Sequence, residues 1–179
     1  MVIGVNEMNE QIVAALVAAV VSAIVSLAVA LVQMRQNKDS LRSQVQQDIR
    51  AKYDKMLDYR LQRPEVLALA RRWQPECWEA LYTQATEEGK VWVIYYGYVE
   101  LCIFYCNAVL YAKDKKAIDL AIYESEHEPL IRLLLAEHYP ILSAIAQPGG
   151  YVSKYLVEHI KTLRQKGWDW EGEYKRLVE

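Results

Sequence analysis

Residues Ile12 to Val32 read IVAALVAAVVSAIVSLAVALV, and the only polar side chains among them are Ser22 and Ser26. As a helix this run is about 31 Å long at 1.5 Å per residue, which matches the hydrocarbon thickness of a bilayer. The sequence therefore predicts a transmembrane helix over 12–33. A cleaved signal peptide has a basic start and a shorter apolar core. Here the first eleven residues carry Glu7 and Glu10 and no Lys or Arg. Ala28-Val29-Ala30 has the small-residue character of a cleavage site, and a buried soluble helix is the other alternative.

The flanks give an orientation. Arg35, Lys38 and Arg42 follow the run closely, and Arg50, Lys52 and Lys55 come next. Loops rich in Lys and Arg stay on the cytoplasmic side. The expectation is a single-pass protein of a bacterial inner, or specialised internal, membrane. Its short N-terminus (1–11) lies outside and everything after the span lies in the cytoplasm. Arg35, Lys38 and Arg42 are expected at the membrane surface, facing anionic headgroups.

Within the run, Ala14, Ala18, Ser22, Ser26 and Ala30 recur at every fourth position. Residues four apart share a helix face. A ridge of small side chains lets a second transmembrane backbone approach closely, and serine hydroxyls can bond across the contact. This predicts a helix–helix contact with a second copy or with another transmembrane protein. No ionisable group lies in the run, so it offers no proton relay or gating charge.

The remainder is read as one all-α domain. From Gln33 to Arg72 there are ten Lys or Arg against five Asp or Glu, and from Trp73 onward eleven against sixteen. The basic part adjoins the span and the distal part is acidic, which argues against nucleic acid as a partner. A juxtamembrane helix is expected over 34–63, without Gly or Pro to interrupt it, with Leu41, Val45, Ile49, Tyr53 and Leu57 as a winding apolar stripe. A cytoplasmic helical domain follows over 64–167, and an aromatic and charged tail over 168–179. Pro64 and Pro75 each read as a helix start, and Thr83–Gly89 reads as a loop.

Val91 to Ala112 is a second apolar run, long enough to span a bilayer. Glu100, Asn107 and several tyrosines interrupt it, so it reads as the central core helix, with a second span as the alternative. Glu100 is expected to be a buried charge needing a partner. Pro129 opens another helix. Pro148-Gly149-Gly150 is a strong turn, Tyr151–Lys166 is amphipathic, and Gly167 is its cap. Trp168, Trp170 and Tyr174 suggest a short docking helix.

The arrangement resembles an uncharacterised group of small bacterial single-pass membrane proteins. The resemblance rests on the N-terminal anchor, on Arg63-Pro64-Glu65-Val66-Leu67, on the central helix around Tyr98 to Tyr111 and on the last amphipathic pair. It differs where Ile131 to Tyr139 is rich in Leu rather than in aromatic residues. It implies an N-terminal span with a cytoplasmic helical domain, and no activity.

No catalytic, cofactor or metal constellation is read. Cys77, Cys102 and Cys106 read as reduced thiols, the latter two on one helix face. Glu124 and His127 have the Glu-x-x-His spacing of di-iron bundles. A second pair is missing, since Leu135 precedes His138 by three positions and Leu156 precedes His159. The expected function is a membrane-anchored accessory or scaffolding subunit rather than an enzyme. The alternative is a membrane-tethered helical domain that binds or senses a small apolar ligand.

Overall fold

A computed structural model describes residues 3–74, 76–82, 86–145 and 152–178. The Pro148-Gly149-Gly150 turn, Pro75 and the side chain of Ala14 lie outside the described residues. Every regular element among the described residues is helical. The chain divides into two units, Met1–Ser43 and Gln44–Glu179.

The first unit is the leading part of α1 (Ile3–Gln62). With no Gly or Pro between Val5 and Gln62, nothing in the sequence stops this helix. From Ala15 to Ser43 every side chain is exposed except Ala30, which is half-buried.

The second unit begins within α1 and continues through α2 (Val66–Arg72), α3 (Cys77–Tyr82) and α4 (Glu87–Asp114). Then come α5 (Leu120–Ile122), a π-turn (Tyr123–His127), α6 (Glu128–Glu137), α7 (Tyr139–Ile145), α8 (Lys154–Gln165) and α9 (Trp170–Val178). The core lies around α4, which packs against α2, α3, α8 and the π-turn. Tyr95, Tyr98, Val99, Cys102, Tyr105, Cys106 and Val109 are enclosed there. Ile131, Leu134 and Leu135 of α6 and Leu156 and Leu163 of α8 join the same core.

Local chemistry explains where these helices start and stop. Thr86 caps α4, its Oγ1 accepting from the Gly89 amide at 3.0 Å, and Glu87 and Glu88 sit in the positive first turn. The helix therefore begins at Glu87, and the expected loop through Gly89 is shorter. At the far end the Ala117 amide reaches back to the Ala112 carbonyl at 2.8 Å, and Lys116 takes a left-handed φ of 54°. That closure normally employs glycine. Gly167 does so after α8, with φ 81° and the Trp168 amide bonded to Leu163 O at 2.9 Å.

The part of α1 in the second unit buries Ile49 and Met56, with Val45, Tyr53 and Tyr59 packed beside them. Leu41 and Leu57, expected in the same stripe, are exposed. A step of four overshoots one turn by about 40°, so Met56, seven after Ile49, replaces Leu57 on the buried face. Tyr59 is held by a hydrogen bond from its hydroxyl to Ile94 O at 2.9 Å. Gly97 leaves room for it, since a Cβ there would stand 3.3 Å from the Tyr59 oxygen. Trp170 of the C-terminal stretch joins the core: it is buried, its ring edge-on to Tyr139 at 4.8 Å. Tyr174 donates its hydroxyl to Ala70 O at 3.3 Å.

Candidate functional site

The second unit contains a cleft of about 530 Å³. Ile49 and Tyr53 of α1, Tyr105 of α4, Ile118, Ile122 of α5 and Leu130 of α6 give it an apolar wall. Gln46, Arg50, Glu126 and His127 supply the polar part. Tyr53 and Tyr105 lie ring against ring, centroids 5.8 Å apart.

Pro129 shapes this wall. A proline ring clashes with the carbonyl four residues back and has no N–H to give it. The chain ahead of Pro129 responds by widening: the Glu128 amide bonds to Tyr123 O, five residues back, which makes the π-turn. Turns of this kind concentrate at functional sites. This one carries Glu126 and His127 on the cleft wall.

Tyr105 fixes His127. Its hydroxyl stands 2.9 Å from His127 Nδ1. Burial pushes the Tyr105 phenol up and so keeps its proton, and burial lowers the imidazole, with Glu126 opposing in part. Where the phenol donates to Nδ1, the neutral ring carries its proton on Nε2.

A second polar group is sealed in the core. His138 is fully buried, Tyr95 bonding to its Nδ1 at 3.1 Å and the Tyr98 ring standing edge-on to it at 5.3 Å. Its Nε2 lies 4.0 Å from Glu137, which faces Arg60 at 3.8 Å. Burial pushes Glu137 up while Arg60 and Arg71 pull it down. No cleft described above reaches His138.

The residues singled out from the sequence lie elsewhere. Ala18, Ser22 and Ser26 are exposed and Ala30 half-buried in the first unit; Arg35, Lys38 and Arg42 are exposed in it as well. Glu100 is half-buried instead of enclosed. It sits on the α4 face shared with Val93, Phe104 and Tyr111, all exposed, where a carboxylate keeps contact with water. Asn107 accepts from the Ser153 hydroxyl, which explains a polar residue in that apolar run. His127 and Tyr105 were separately visible in the sequence, but nothing there paired them. Pro129 directly after an acidic turn was the one local signal. No group of three or more metal-ligand side chains forms among the described residues.

Two helices, α1 and α4, are long and apolar enough to cross a membrane. The most apolar stretch of α1 has no buried residues, whereas half of that in α4 is buried. Comparison of the chain with protein-family models, with curated proteins and with solved structures found no match.

Proposed function

We propose that this protein is a membrane-anchored accessory or scaffolding subunit. Residues 12–33 of α1 cross the bilayer once, with the N-terminus outside and the helical domain in the cytoplasm. Ala14, Ala18, Ser22, Ser26 and Ala30 form the face that meets a second copy or another transmembrane protein. The observation that carries this reading is the uncharged 21-residue run whose described side chains are almost all exposed. Contiguous apolar surface on that scale is rare in water and ordinary in lipid. The partial burial of α4 and its packing against four other elements favour a core helix there, hence one span rather than two.

Fractionation tests the anchor. The intact chain is expected to stay with vesicles through an alkaline carbonate wash. Release of the full-length chain, or a mature N-terminus just past Ala30, refutes it. Purification in mild detergent tests the subunit reading: co-purifying membrane proteins or a stable homo-oligomer support it, and a lone monomer counts against it.

A further inference from the structure

The cleft beside His127 belongs to the second unit, and its reading is independent of the anchor. We propose that this cleft binds a small carboxylic acid, one negative charge on a compact apolar body, with Arg50 and His127 holding the carboxylate.

Three features point there. The first is size and lining. At about 530 Å³, with Ile49, Ile118, Ile122 and Leu130 on its wall, the cleft suits an apolar group. The second is its pair of donors. Tyr105, itself held by the core, stands 2.9 Å from His127 Nδ1; with Tyr105 as the donor, the imidazole offers an N–H from Nε2. Arg50 adds a planar guanidinium that makes no ion pair or hydrogen bond with any described residue. Guanidinium and carboxylate match in shape as well as in charge. The third is Glu126, which also lines the cleft. A carboxylate on the wall repels two negative charges beside Arg50 more than one, so it selects a monocarboxylate over a phosphate monoester.

Calorimetry on the full chain in lipid nanodiscs, blanked against empty discs, tests this with three probes of equal chain length. Hexanoate is expected to bind saturably. Hexanol, which keeps the apolar body, and hexyl phosphate, which carries more charge, are expected to bind at least about tenfold more weakly. Arg50→Gln should lower hexanoate affinity about tenfold and leave hexanol unchanged. Arg50 is exposed, so the variant should fold. Ile122→Trp, also at an exposed position, should fill the cleft and abolish hexanoate binding with an unchanged circular dichroism spectrum. The His127 Nε2 resonance should shift with hexanoate and not with hexanol. Equal affinity for hexanoate and hexanol overturns the proposal. So does an Arg50→Gln variant that binds hexanoate normally, or the absence of saturable hexanoate binding in the millimolar range.

Discussion

The hydroxyl of Tyr95 lies 3.1 Å from Nδ1 of His138, a residue 43 positions later, and both side chains are sealed from solvent. This bond ties the central helix α4 to the turn after α6. Tyr95→Phe removes it and strands a buried nitrogen, at an expected cost of about 1–3 kcal/mol. Tyr98 provides the contrast. Its buried hydroxyl has no hydrogen-bond partner of that quality, only the neighbouring Cys102 thiol. Tyr98→Phe is expected to change stability by less than about 0.5 kcal/mol. Urea titration of both variants checks the difference.

Stability should fall in mild acid. Burial, helped by Arg60, drives the His138 pKa down from 6.5 to about 3. Burial, helped by Lys113, drives His159 to about 4. The unfolded chain therefore takes up protons below pH 6.5 that the folded chain refuses. The stabilisation is complete above that pH and drains away as pH falls toward 4. Each imidazole contributes up to about 1.4 kcal/mol per pH unit. Glu137, raised by burial, works in the opposite sense near its own range, with Arg60 and Arg71 limiting the effect. Denaturant midpoints between pH 7 and 4.5 should show the loss, and His138→Gln with His159→Gln should flatten it. A flat wild-type profile refutes the assignment.

Lys116 carries a left-handed backbone that a side chain disfavours. Lys116→Gly keeps the closure between Ala112 and Ala117 and relieves the strain. An increase in stability of about 1 kcal/mol is expected, offset in part by the greater freedom of glycine in the unfolded chain. A thermal melt reads it directly; a drop in midpoint contradicts it.

Trp170 fills space against Tyr139, with the Arg164 guanidinium 5.1 Å from its ring. Trp170→Ala should cost about 3–5 kcal/mol, as for other large core truncations. Loss of the last helix would accompany it, read as faster amide exchange over α9. Unchanged exchange there would mean that the tail holds by other contacts.

In the proposed anchor, leucines on the small face should keep two backbones apart. Ser22→Leu with Ser26→Leu is expected to weaken association in a membrane two-hybrid reporter while leaving insertion intact. Undiminished association of that double variant removes the small-residue contact.

Much of the architecture could be read from local pattern. Val5 to Gln62 contain no helix breaker, Pro64 enforces a break, and Gly167 closes α8, because each acts through its own backbone or its near neighbours. The capping of α4 by Thr86 was not read from the sequence, because the polar stretch around it reads as loop and only the structure shows its hydroxyl on the Gly89 amide. The Glu100 environment was not legible. An apolar run shows that a helix is buried without showing which face meets the fewest neighbours.

Sequence alone determined the uncharged run of 12–32, the helical class and the helix breaks, since these follow from side-chain polarity and backbone chemistry along one stretch of chain. Tertiary packing alone decided that Tyr105 meets His127, that Tyr95 meets His138, and that Arg50 faces the same cleft as Glu126. Those pairs lie far apart in the chain, and only the folding of α1, α4, the π-turn and the end of α6 into one unit brings their polar atoms within bonding reach or onto one wall.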